Sequence, residues 1–292
     1  MTASVLTELR WGPERRLEFI EFRLFWEGGI NRSDIVDAFG VSVPQASKDL
    51  TLYQEHAPSN IRYDRSLKRY FASKSFRAKF ITIDSAAYLE QLNATAVAGG
   101  GSDSWVASAP NADKLPFPQR RVLPNVLRCL LECIRGQRSI EILYQSMNAS
   151  RPFPVWRRVS PHAFGSDGLR WHMRAYCHID QKFKDFILSR CLDTRLSNAP
   201  GASASDDKFW TKHFLVRLCP NPRLSTSQRE IIAQDFAMKN GEALVRVRCA
   251  LLYHFSKRLR LDVADHFDNP SEAPVVVKNR DEFDRALSEA MR

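Results

Sequence analysis

The chain has 292 residues, 44% hydrophobic and 26% charged, with a formal net charge of +10. That length and apolar content suit two or three domains with cores of their own and exclude a disordered chain. No apolar run reaches the ~20 residues of a membrane span, no signal-peptide core opens the chain, and the six cysteines form no C-x-x-C pair, so a cytoplasmic protein with small core cysteines is expected.

The first 80 residues read as three helices and a hairpin. Behind Pro13, Glu14 to Trp26 puts Leu17, Ile20 and Leu24 on one stripe with Phe25 beside it, and Gly28 and Gly29 end the helix. NRSDIVDAFG gives a short second helix with Ile35, Val36 and Phe39 inward and Gly40 as its stop. Ser42 caps a third, whose buried stripe is Val43, Ala46, Leu50 and Tyr53, leaving Gln45, Ser47, Lys48 and Thr51 outward. A short helix, a Gly-containing turn and a helix with a polar outer side form a helix-turn-helix pattern. NIRYDRSLKRYFAS follows as strand, turn and strand, with Arg62, Arg65, Lys68 and Arg69 at or near the tip. This is a wing, whose cations would hold phosphates while the third helix reads base edges. Seven basic residues meet one acid between Arg62 and Lys79.

ITIDSAAYLEQLNA reads as one more short helix, and AVAGGGSDSWVASAPNAD as loop, so residues 81–123 are taken as a linker. A helix resumes from Pro124 to Gly136 with Val126, Cys129, Leu130 and Cys133 on its apolar side. RSIEILYQSM then places Ile140, Ile142, Tyr144 and Ser146 on one strand face. RRVSPHAFG, GLRWHMRAYC and DFILSRC are further short strands, which together suggest a small antiparallel barrel over residues 124–200. Trp156 is expected in its core.

GLRWHMRAYC alternates with period two: Trp171, Met173 and Ala175 point one way, and Arg170, His172, Arg174 and Tyr176 the other. Cations so stacked lie roughly 6 to 7 Å apart and repel one another, which asks for an anion. The 120–195 segment is the most basic of the chain, with 14 basic against 6 acidic residues. Residues 201–292 alternate β-α-β-α-β-α through HFLVRLCP, STSQREIIAQDF, EALVRVRC, LLYHFSKRLR, APVVVKN and EFDRALSEAM, compatible with a small α+β domain.

The middle segment resembles the WYL domain of bacterial transcriptional regulators. The name motif falls on Trp171-His172-Met173 and keeps only the Trp, while Ser160-Pro161-His162, the Trp171 strand and Phe186 to Arg190 sit in the family's order within SPHAFGSDGLRWHMRAYCHIDQKFKDFILSRC. The N-terminal RWGPERRLEFIEFRLFWEGGINRSDIVDAFGVSVPQASKDL is similar to the BrxR/CapW branch, regulators associated with phage-defence operons. The resemblance implies a multidomain α+β protein: a winged helix over 1–80, an Sm-like WYL barrel over 124–200 and a C-terminal (WCX) dimerisation domain over 201–292. It also implies a homodimer on inverted-repeat DNA and a cationic ligand pocket. Carried over, that pocket comprises Tyr144, Ser146, His162, Arg170, His172, Arg174 and Arg190. Trp171 and Met173 would fill the barrel while the opposite face takes phosphates.

The function expected is a DNA-binding repressor of a phage-defence operon, modulated by a nucleotide or oligonucleotide. An RNA- or single-strand-binding adaptor is the alternative, with bases stacked on Tyr144 or Trp156. A third reading is a nucleotide-processing enzyme with His162 or His172 as general base. No Gly-rich phosphate loop, H-E-x-x-H or magnesium-binding acidic cluster is present, and no catalytic residue, cofactor or metal is expected.

Overall fold

The computed structural model describes residues 11–98, 105, 106, 110–113 and 115–291, in two units that divide after Pro116. Part of the expected AVAGGGSDSWVASAPNAD loop lies outside the described residues.

In the first unit α1 (Trp11–Trp26), α2 (Arg32–Phe39) and α3 (Val43–His56) pack around Leu17, Ile20, Leu24, Ile35, Ala46, Leu50 and Tyr53, all at most 1% exposed. Each fully buried aliphatic side chain contributes about 1.5–3 kcal/mol. The boundaries follow from capping. Asn31 and Asp34 form a reciprocal capping box at the start of α2, Gly40 in the left-handed conformation ends it, and Ser42 accepts from Gln45 N to start α3. Val43, expected in the buried stripe, is 56% exposed. It is the first residue of α3, and a helical side chain lies over the turn before its own Cα, here the exposed connection from α2.

The wing strands β1 (Ile61–Asp64) and β2 (Arg69–Ala72) pair antiparallel, and Ile30 bridges to Tyr70 on the other side of β2. Gly29 makes that approach possible: with φ +156°, a Cβ there would lie 2.6 Å from the Tyr70 carbonyl oxygen. Further along, α4 (Ser85–Ala98) returns to α1, with Tyr88 stacked on Phe22 and on Trp26 at centroid distances of 5.9 and 4.7 Å.

The second unit opens with α5 (Pro124–Arg135), followed by β3 (Arg138–Tyr144), β4 (Val155–Ser166), β5 (Trp171–Cys177), β6 (Lys182–Ile187) and β7 (Cys191–Pro200). These strands form one antiparallel sheet in the order β6-β5-β4-β3-β7. The expected closed barrel is therefore corrected to an open sheet, with β6 and β7 as edges among the described residues. A single 3₁₀ turn, Leu188–Arg190, carries the chain from one edge to the other. At the β6 edge the Ile187 N–H donates to the Tyr144 hydroxyl at 3.2 Å rather than to another strand. The apolar face is covered by Val126, Leu130 and Cys133 of α5, which meet Ile140, Ile142, Val159, Met173, Ala175 and Phe186.

The chain continues through α6 (Lys208–Thr211), β8 (His213–Pro220), α7 (Thr226–Asp235), β9 (Ala243–Arg248), α8 (Leu252–Arg258), β10 (Val275–Val277) and α9 (Arg280–Met291). The strands form a three-stranded antiparallel sheet, β10-β8-β9, whose core joins Val216, Leu218, Val247, Leu252, Val277 and Phe283. By contrast α7 buries none of its residues.

Candidate functional site

Of the expected reading residues on α3, Lys48 and Thr51 are exposed while Gln45 and Ser47 are half-buried. Both hydroxyls donate back to helix carbonyls, Ser47 to Val43 and Thr51 to Ser47, which leaves their lone pairs as outward acceptors. The Gln45 amide donates to Asp49 at 2.9 Å, and Asp49 in turn receives Arg16 Nε and Nη2 at 2.6 and 3.1 Å. A largely buried bidentate pair between α1 and α3 thus fixes the roll of α3 and the pose of Gln45. Sequence reasoning missed it, although an Asp beside Leu50 on the buried side of α3 was a signal that a cation must meet it.

Along the wing, Arg62, Arg65 and Lys68 are exposed. The tip is shaped by Asp64 Oδ1, which accepts from Ser66 N, Ser66 Oγ and Leu67 N. Arg69 differs from the other three: half-buried, it donates to the Gly29 carbonyl at 2.8 Å and clamps the wing to the α1–α2 turn. A second missed residue is Glu21, fully buried on α1. One of its oxygens accepts from the Tyr53 hydroxyl at 2.9 Å, and the other from the backbone N–H groups of Lys79, Phe80 and Ile81 at 2.9, 2.6 and 2.8 Å. Burial, reinforced by the Glu21 charge, pushes the Tyr53 phenol well above its ordinary range.

Six of the seven expected pocket residues fall into three pairs, and Ser146 stands apart from them. Tyr144 and Arg190 make one: burial raises the Tyr144 phenol, partly offset by the Ile187 N–H and by the nearby Arg190 guanidinium. Ser146, half-buried beyond the end of β3, accepts from Asn148 N.

The other two groups are built on carboxylates. The register between β4 and β5 shifts between Pro161 and Ala163, so His162 is a bulge residue, and its Nε2 lies 3.0 Å from Asp207 Oδ2. Arg174, 4% exposed, gives Asp207 two bonds of 2.7 and 3.1 Å and a third, of 3.2 Å, to Asp185. Asp207 also caps the following turn by accepting from Trp210 N. Burial would raise its carboxyl, but the bonds from His162 and Arg174 outweigh this and hold it far below the usual range.

Asp167 centres the third group. Its Oδ1 accepts from Leu169 N and Arg170 N at 2.8 Å each, and its Oδ2 from Arg170 Nε at 2.9 Å, with His172 Nε2 at 3.2 Å. Burial opposes ionisation of Asp167 too, and again these bonds win and depress it. His172, 2% exposed, is lowered by burial, with Asp167 pulling the other way and His254 of α8 adding repulsion.

The anions the β5 cations ask for are thus within the chain. Face assignment is corrected at one residue: Met173 and Ala175 enter the core, but Trp171, the first residue of β5, is 56% exposed and lies outside that apolar cluster. Trp156, expected in the core, is half-buried with the Arg195 guanidinium 3.8 Å over its ring.

Residues 12–94 match the winged helix-turn-helix domain of the BrxR transcriptional regulator, 125–196 the WYL domain, and 213–283 the BrxR C-terminal dimerization domain. Among curated relatives, the DNA-binding transcriptional repressor CapW of Pseudomonas aeruginosa is 40% identical over 94% of this chain and 91% of its own length. The chain belongs to the CapW family. The CapW of Stenotrophomonas maltophilia is 37% identical over 99% of this chain and 97% of its own, and that of Escherichia coli 36% over 94% and 91%. The α3 and wing residues lie in the winged-helix match, while the carboxylate-paired cations join the WYL match to segments that follow it, Asp207 before the dimerization match and His254 within it. Among the described residues no helix is long and apolar enough to cross a membrane.

Proposed function

We propose that this chain is a cytoplasmic repressor that binds an inverted-repeat operator as a homodimer and controls a phage-defence operon. Residues 1–80 bind DNA, 81–123 link, 124–200 sense a phosphorylated ligand and 201–292 dimerise. The observation that carries the reading is the outer side of the winged helix: Gln45, Ser47, Lys48 and Thr51 on a helix held by the Arg16–Asp49 pair, with Arg62, Arg65 and Lys68 exposed on the hairpin that follows it in the chain. Dimerisation gains support from α7 and its C-cap, where Ile231 and Phe236 are 55% and 41% exposed. Two copies would read half-sites about one or two helical turns apart.

The ligand reading takes a specific form here. His162, Arg174, Arg170 and His172 are already paired with Asp207 and Asp167, so a nucleotide or oligonucleotide phosphate would bind by displacing a carboxylate. Gel shifts with duplex DNA from upstream of the gene test the first part: Lys48→Ala, Arg65→Ala and Lys68→Ala should each weaken binding, and unchanged titrations for all three would remove the α3–wing assignment. Preference for single-stranded RNA of equal length would favour the adaptor reading instead. For the sensor, Asp207→Asn should tighten nucleotide binding. A broad nucleotide and oligonucleotide screen that stabilises neither protein would end that part.

A further inference from the structure

His172 and His254 come from β5 and α8, yet their imidazole centroids are 4.3 Å apart and tilted by 40°. Both are largely buried, with side chains 3% and 12% exposed. Between them sits one carboxylate oxygen, Asp167 Oδ2, 3.2 Å from His172 Nε2 and 3.9 Å from His254 Nδ1. A hydrogen bond accounts for the first contact. It does not account for a second imidazole turned toward the same oxygen.

We propose that Asp167, His172 and His254 form a binding site for a divalent transition-metal ion of the zinc class. Three observations converge. One donor atom from each residue lies within 4.8 Å of the others. A tetrahedral ion with bonds of about 2.0–2.1 Å sets its ligands about 3.3 Å apart, so the 3.2 Å spacing already fits and the 3.9 Å one closes by less than 1 Å. The far nitrogen of His254, Nε2, is 3.3 Å from Asp185 Oδ2, the carboxylate–histidine arrangement that orients a metal-bound imidazole and fixes its tautomer. Two imidazoles and one carboxylate suit zinc, nickel or cobalt over magnesium or calcium.

Cations nearby compete with the ion. Arg170 Nε is 2.9 Å from the shared oxygen, and the Arg258 guanidinium lies against Gly168 in the same turn. The Arg170 side chain is 30% exposed and can rotate into solvent, whereas Arg174 is held on Asp207 and Asp185 and stays. The ion would join the turn before β5 to α8, two segments more than 80 residues apart in the chain.

The test uses the full chain, stripped with chelator, with no nucleotide or DNA present, so its outcome is independent of the sensor reading. Zn²⁺ is titrated by calorimetry and Co²⁺ by visible absorption. One ion per chain is expected, with a tetrahedral Co²⁺ spectrum and no thiolate charge-transfer band. His254→Ala should abolish binding while keeping the metal-free thermal transition, Asp185→Asn should cost about 10–100-fold in affinity, and Arg170→Ala should tighten it. A thiolate band, or equal binding by wild type and His254→Ala, would place the ion elsewhere and overturn the site. No binding by a folded wild type would leave Asp167, His172 and His254 as a structural polar cluster and overturn it too.

Discussion

The wing and strand β5 carry cations in similar density along the chain, and the structure uses them in opposite ways. Arg62, Arg65 and Lys68 stand in solvent, whereas Arg174 is 4% exposed and held by Asp207 and Asp185. Exposed cations contribute long-range attraction to a polyanion and little to folding. Buried ones are part of the fold, and removing a partner leaves a charge in low dielectric. Net charge cannot separate these cases. Burial and partner do.

The largest effect should come from breaking the buried set. Asp207→Ala leaves Arg174 without its main partner and is expected to cost about 3–5 kcal/mol of stability in urea unfolding. Wild-type stability in that variant would erase the distinction between the two regions. Next, Arg69 should behave like neither neighbour: Arg69→Ala removes a charge-assisted bond to Gly29 and should cost about 1.5–3 kcal/mol as well as weakening DNA binding.

A pH series in chelator sharpens the contrast further. Burial depresses His172, so between its folded pKa and about 6.5 the unfolded chain holds more protons than the native one. Its contribution is present above about pH 6.5 and is lost as pH falls through that window. His172→Gln should flatten the loss, and an unchanged slope would show that another group carries it. The smallest effect belongs to the wing: Arg65→Ala should leave stability within about 0.5 kcal/mol and flatten the salt dependence of operator binding by about one unit of slope.

What the sequence made legible was local. Asn31, Gly40 and Ser42 announce helix ends through their own backbone bonding, and the wing is a hairpin of adjacent residues. The order β-α-β-α-β-α of the last third was likewise legible from alternating periods. What escaped depends on distant partners. Asp207 meets residues 33 and 45 positions away, and Glu21 meets amides 58 to 60 positions on. Asp167 shapes its turn and, as an Asp there can, also orients a histidine, His172; the neighbour that the local sequence could not show is His254, 87 positions on. Strand β7 was overlooked because CLDTRLSNAP carries few apolar residues, so the sheet's second edge went unseen and closure into a barrel was the simpler expectation. Val43 and Trp171 failed for one reason: both open their elements, where periodicity assigns a face but no neighbouring layer reaches to cover it.

Glu21 has one more consequence, readable by deuterium. Residues 73–84 form no helix or strand, and a stretch without a ladder normally trades its amide hydrogens with solvent quickly. Lys79, Phe80 and Ile81 nonetheless give their N–H groups to a carboxylate that water does not reach. Those three amides should exchange on the clock of the helix core, only when α1 and α3 open together, while Thr82, Ile83 and Asp84 beside them label at once. The segment that follows the wing is therefore, at these three amides, as slow to breathe as the helix core.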